Sequence, residues 1–146
     1  MQGKVRGSDV SSLEQFFTED MVNGLLKRCH ADGTGHALSL HGPDAQIMDR
    51  LQNDNVNMAS KFNNSKEMLN ATHESITKGN LTQTRGVKLT FDYNLNKPIN
   101  ITTGVKNPSL DVPINITSGE HTGVVRTVVI FTPGKFPDIK TSFPKA

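Results

Sequence analysis

From Ser12 onward, apolar residues recur at the three- and four-residue spacing of a helix. Leu13, Phe16, Phe17, Met21, Leu25 and Leu26 recur at that spacing. The spacing predicts an amphipathic helix from Ser12 to about Arg28, capped by Ser11 or Ser12. Residues 1–10 are polar and are expected to fray. Ala31-Asp32-Gly33-Thr34-Gly35 then breaks the helical pattern. Gly35 to His41 reads as a short helix or turn, and Pro43, at the N1 position, is expected to open a further helix through Leu51 with Ile47, Met48 and Leu51 on its apolar side. Residues 59–62 form a short extended piece. Asn64 caps a helix carrying Met68, Leu69 and Ile76, which stops at Lys78-Gly79.

After Gly79 the period changes to two. Val87, Leu89, Phe91, Tyr93 and Leu95 alternate with polar residues, the mark of a half-buried strand. Pro98 begins another strand through about Thr103. Gly123 to Thr132 is apolar on both faces and predicts a central strand. Pro133-Gly134 is a turn, and Ile139, Thr141 and Phe143 are expected on one face of a closing strand. A local repeat, Pro98-Ile-Asn-Ile-Thr-Thr-Gly and Pro113-Ile-Asn-Ile-Thr-Ser-Gly, reads twice as a strand followed by a turn. Helices first and strands afterwards predict an α+β fold, with N-terminal helices packed on a twisted antiparallel sheet.

Composition narrows this picture. The chain has 146 residues, enough for one modest core, with 34% hydrophobic residues, 5% aromatic residues and no Trp. A formal charge of +2 permits nucleic-acid binding without arguing for it, so any basic groove must be local. Cys29 is the single cysteine, which excludes an internal disulfide. His30 follows it directly, but neighbours on a helix point apart, so a catalytic thiol pair is not expected. No apolar run is long enough to span a membrane. The five Asn-x-Ser/Thr triplets, at Asn63, Asn70, Asn80, Asn100 and Asn115, are expected by chance in an Asn- and Thr-rich chain.

The chemistry-bearing residues are few. His36 and His41 are five apart, which turns their side chains by roughly 140° on a helix. They are therefore unsuited to share a metal, and no Cys or acidic cluster supplies other ligands. One of the two histidines is a proton carrier if it faces a cleft; otherwise both are surface or capping residues. Arg50 is either a solvated helix residue or a planar clamp for phosphate oxygens. Thr141 stands on the apolar side of its strand, where a hydroxyl needs a partner. Asp44 and Asp49 are near enough in sequence to orient His41. His30, His73 and His121 read as surface residues.

Taken in order, Gly35-His36-Ala37-Leu38-Ser39-Leu40-His41-Gly42, Arg50-Leu51, Ser60-Lys61-Phe62, Phe91-Asp92-Tyr93, the Val-rich run 124–131 and Thr141-Ser142-Phe143-Pro144 resemble the bacterial ribonuclease A-like toxin domain. That domain occurs at the C-terminus of contact-dependent inhibition (CdiA) and other polymorphic toxin proteins. The resemblance covers residues 33–146 and leaves 1–32 as an N-terminal helical extension, a remnant of an entry segment. It implies a ribonuclease A-like α+β fold without disulfides and metal-independent RNA cleavage with no cofactor. It implies catalytic roles for His41, Arg50 and Thr141, and substrate binding by Phe143 and Lys140. Some members carry a tyrosine where this chain has Phe143, and the interval from His41 to Arg50 is about two residues short. The implied partners are RNA and a cognate immunity protein, with no membrane anchor. The implied setting is delivery from a cell surface, as the C-terminal part of a larger protein, into a target cell's cytoplasm. Two other readings fit the residues: a non-catalytic module whose Asn/Thr-rich strands bind protein or glycan, and a nuclease toxin of another fold.

Overall fold

The computed structural model describes residues 15–145. The expected fraying of residues 1–10 and the cap at Ser11 or Ser12 lie outside them. The fold is α+β, helices followed by antiparallel sheets.

Helix α1, Glu19–Asp32, ends later than the apolar spacing predicts, and a bend at Phe17 separates it from the helical residues 15–16. Thr18 is the cap, its Oγ1 accepting from the Met21 N–H at 3.1 Å. Gly33, at φ 74°, closes the helix in the left-handed conformation that a glycine adopts without strain. Val22, Leu25, Leu26 and Cys29 line its buried side, and Phe17, just before the cap, is fully buried beside them. The boundary expected between residues 32 and 33 therefore does not divide the packing. Phe17, Val22, Leu25 and Leu26 share one core with Phe62, Met68, Ile76, Phe91, Val125 and Ile139. Arg28 also reaches Asp138 at 3.0 Å.

Two short helices follow, α2 (Ala37–His41) and α3 (Ile47–Asn53). Pro43 is not the first residue of α3; it lies in the turn between them. Strand β1, Met58–Phe62, leads to α4, Ser65–Lys78, capped as expected by Asn64, whose side chain accepts from the Glu67 N–H. The remaining strands are β2 (Asn80–Arg85), β3 (Lys88–Asn94), β4 (Ile99–Lys106), β5 (Ile114–His121), β6 (Val124–Ile130) and β7 (Asp138–Lys145).

The strands form two antiparallel sheets, ordered β1-β4-β5 and β2-β3-β6-β7. The repeat proves to be a hairpin: β4 and β5 pair along their whole length, and Gly104 and Gly119 sit inside the strands rather than in turns. Gly104 is a glycine because a Cβ there would stand 2.6 Å from Ile47 Cγ2 and 2.7 Å from Leu51 Cδ1, where α3 lies on this sheet. Helix α4 covers β3 and β6 of the larger sheet. The two sheets are tied by Ser60 Oγ of β1, which donates to the Pro144 carbonyl of β7 at 3.1 Å.

One irregularity decides what β7 presents. Val129 pairs with Ile139 but Val128 pairs with Thr141, so Lys140 is an extra residue in a β-bulge. The bulge puts Ile139 on the Val129 side, in the core, and Thr141 and Phe143 on the opposite side with Val128 and Arg126. The expectation that Ile139 shares a face with Thr141 and Phe143 is corrected by that one added residue.

Candidate functional site

Helix α2 is docked on the bulge. The His36 N–H donates to the Lys140 carbonyl at 2.9 Å, and Gly35 is pressed against the Ile139 carbonyl, leaving no room for a side chain. This close approach carries His41, at the end of α2, to the seam between the sheets. Its Nδ1 lies 2.7 Å from the Ser60 carbonyl. A carbonyl only accepts, so Nδ1 carries the proton and Nε2 is the free basic nitrogen. The Phe143 ring stacks on the imidazole, with centroids 5.1 Å apart and planes 30° apart. His41 is 9% exposed. Burial, with smaller pushes from Arg50 and His36 against the favourable Ser60 hydrogen bond, moves its pKa from 6.5 down to about 4. It is therefore a neutral imidazole at neutral pH.

Arg50 is delivered by α3 to the same cavity, of about 330 Å³, that His41 and Phe143 line. Its side chain is largely buried, and its nearest carboxylate is Asp54, 3.7 Å from Nε, beyond hydrogen-bond reach. Among the described residues, two buried side-chain polar atoms lack a hydrogen-bond partner: Arg50 Nε and Thr141 Oγ1. Buried polar groups are ordinarily paired, so both orphans mark places where the protein leaves binding capacity unused. Thr141 is not itself in the cavity wall. It stands two residues before Phe143 on the same face of β7, about 6–7 Å along the strand.

Of the residues picked out in the sequence, the structure thus joins His41, Arg50 and Phe143 around one cavity, with Thr141 on the adjoining strand face. Lys140 is not among the lining residues; its carbonyl anchors α2, and its charge, after burial, helps lower the pKa of His36. Asp44 and Asp49 do not orient His41, whose ring is held by Ser60 and Phe143 instead.

Sequence reasoning missed three contributors. Ser60 supplies the carbonyl that sets the His41 tautomer, a backbone role that no residue type announces. Thr103 and Lys145 also line the cavity. Lys145 Nζ is 3.6 Å from Asp92 Oδ2, and Asp92 is gripped by Arg126 through two bonds of 2.8 and 2.9 Å. The Arg126 hydrogen bond, with help from Lys145, holds the Asp92 carboxyl below its usual range. The lining contains two fixed cations, Arg50 and Lys145, and no acidic residue.

A second hollow, of about 430 Å³, lies between α1, α2 and α4 over Leu26, Leu38, Met68 and Leu69. No orphaned buried polar atom is found in it. Among the described residues no three His, Cys, Asp or Glu side chains gather as a metal-binding group, and no helix is long and apolar enough to cross a membrane. Compared with family models, with curated proteins and with solved structures, the chain finds no match.

Proposed function

We propose that this protein is an endoribonuclease that cleaves RNA by attack of the 2′-hydroxyl on the adjacent phosphorus, without a metal or cofactor. The observation that carries the reading is the pairing of a neutral, buried imidazole with an arginine whose buried Nε has no partner, in a cavity whose charged lining residues are cations. Such a site suits an anion that must lose a proton nearby and then gather negative charge.

His41 Nε2 accepts the 2′-hydroxyl proton, aided by the Ser60 carbonyl that fixes the tautomer. The 2′-oxygen then bonds to phosphorus, and the P–O5′ bond breaks with the leaving oxygen taking a proton from water, while the His41 imidazolium returns its proton to solvent. The products are a 2′,3′-cyclic phosphate and a 5′-hydroxyl end. Arg50 offers charge and directed N–H groups to the equatorial oxygens of the transition state, and Thr141 Oγ1 offers a neutral donor. Phe143 holds the imidazole by stacking and presents an edge to a base. DNA lacks the 2′-hydroxyl and is not cut.

The ordered motifs resemble those of bacterial ribonuclease A-like toxin domains, and two sheets meeting at a cleft agree with that resemblance. On this reading the protein is an interbacterial toxin delivered into a target cell and held in check by an immunity protein. Total RNA incubated with the protein and a chelator tests the enzymatic core of the proposal. The wild type should yield cyclic-phosphate ends, and His41→Ala should lower the rate by ~10²–10⁴-fold, the usual worth of a general base. Intact RNA with the wild type, or an unimpaired His41→Ala, refutes it; intact RNA favours a binding module instead.

A further inference from the structure

The lining of the His41 cavity carries a cation that the cleavage step itself does not use. Lys145 reaches the wall from the end of β7, on the same strand face as Thr141 and Phe143. The three side chains form a comb: a hydroxyl, a ring and an ammonium, each about 6–7 Å from the next along the extended chain. The ammonium is steered rather than free. Asp92 Oδ2 lies 3.6 Å from it, and Asp92 is itself locked against Arg126 on the neighbouring strand.

The charge count across this cluster is informative. Arg126 already matches the Asp92 carboxylate with two hydrogen bonds of good geometry. Lys145 is therefore not needed to neutralise Asp92, and Asp92, Arg126 and Lys145 together carry a surplus of one positive charge. Nearly half of the Lys145 side chain is exposed, and Lys145 is one of the residues lining a cavity that has no acidic residue in its wall. A surplus cation, positioned by a carboxylate it does not have to satisfy, is suited to recruit an anion.

We infer that Lys145, held in place by Asp92, binds a second phosphodiester of the substrate, one that flanks the bond being cut. The inference rests on the ribonuclease reading and deepens it: the substrate class becomes a single strand with at least two phosphates engaged, one at Arg50 and one at Lys145. A compact ammonium is appropriate for a phosphate that needs to be held but not polarised, whereas the fork of Arg50 suits the reacting one. Lys145 is on this view a binding residue and not a group that moves a proton.

The test uses the full chain and two kinds of substrate. The first is a dinucleoside monophosphate, which has the scissile phosphate alone, compared with the same compound bearing a terminal 5′- or 3′-phosphate. For the wild type, a terminal phosphate on one side should lower KM and leave kcat nearly unchanged. Lys145→Gln should erase that advantage, and Lys145→Arg should keep most of it. The second is a longer single strand cut at increasing salt. Loss of one phosphate contact should flatten the slope of log(kcat/KM) against log[salt] by about 0.7 in Lys145→Gln. Because Lys145 is a surface residue, its thermal midpoint serves as a check that folding is intact. A Lys145→Gln protein that keeps both the terminal-phosphate advantage and the wild-type salt slope overturns this inference while leaving the ribonuclease reading standing. A wild-type protein that leaves RNA intact overturns both.

Discussion

Acid should weaken this fold through His41, and the size of the effect follows from its surroundings. The imidazole is 9% exposed, its Nδ1–H is committed to the Ser60 carbonyl, and its pKa is pushed from 6.5 to about 4. In the unfolded chain the ring titrates near its ordinary value. Between the two values the unfolded state holds a proton that the native state refuses. Stability is therefore full above about pH 6.5 and is lost as the pH falls towards 4. Integrating that difference from pH 7 down to pH 4 gives a loss of about 3 kcal/mol, a large share of the ~5–15 kcal/mol that typically holds a domain together. Urea denaturation followed by far-ultraviolet circular dichroism, at intervals from pH 4 to 8, measures it. His36 and Asp92 also have lowered pKa values and lose stability in the same direction, so the wild type alone does not isolate His41. His41→Asn does: it removes the titration and leaves the other groups in place. The wild type's stability relative to His41→Asn should rise by about 3 kcal/mol from pH 4 to 7, whatever the substitution costs in absolute terms. Parallel curves for the two proteins would refute the picture of a buried neutral imidazole, and with it the resting state of the proposed base.

Gly35→Ala should loosen α2 from β7, because the new methyl group meets the Ile139 carbonyl and stands 3.2 Å from Cys29 Cβ. An overpacking cost of about 1–3 kcal/mol is expected in chemical denaturation, together with shifted His41 ring resonances; a variant as stable as its parent, with an unmoved ring, would remove Gly35 as the docking point. On the proposed toxin reading, an immunity partner should present an acidic face to the cavity that holds Arg50 and Lys145 and block RNA cleavage, with an association rate that falls as salt rises. Co-purification with the products of neighbouring genes checks this, and a failure of all of them to bind or protect counts against the toxin assignment.

Features that depend on adjacent residues are legible in the sequence. Asn64 caps α4 because its side chain needs only the Glu67 N–H three residues on. The Val-rich run is a central strand, between β3 and β7, as its apolar character demands. Strand β2 escaped notice for the opposite reason. All six of its residues are exposed, so it shows no burial alternation and is defined by backbone pairing to β3 alone. A third kind of feature joins positions far apart in the chain. Thr72 and Ser75 of α4 meet Thr127 and Ser142 in a buried hydroxyl network, with Thr72 Oγ1 and Ser142 Oγ 2.7 Å apart. Each looks like an ordinary polar residue until its partner, some 70 positions away for the Thr72–Ser142 pair, is known.

The candidate site shows the same division, and the bulge at Lys140 explains it. Residue types and motif order point to His41, Arg50 and Thr141, since imidazole, guanidinium and hydroxyl are what the chemistry requires. Whether they can cooperate depends on the number of residues between Ile139 and Thr141 relative to the partner strand. With regular pairing, Ile139, Thr141 and Phe143 would share one face, and an Ile139 buried in the core would take Thr141 and Phe143 there with it. The extra residue breaks that alternation: Ile139 stays in the core, while Phe143 reaches the His41 ring. The carbonyl groups on either side of the bulge are the ones that meet α2, Ile139 against Gly35 and Lys140 with the His36 N–H. A single irregularity thus both turns the face bearing Thr141 and Phe143 away from the core and provides the seat for the helix that carries His41. Lys140 carries a charge that suits phosphate, yet its main contribution is made by its backbone carbonyl, which accepts from the His36 N–H.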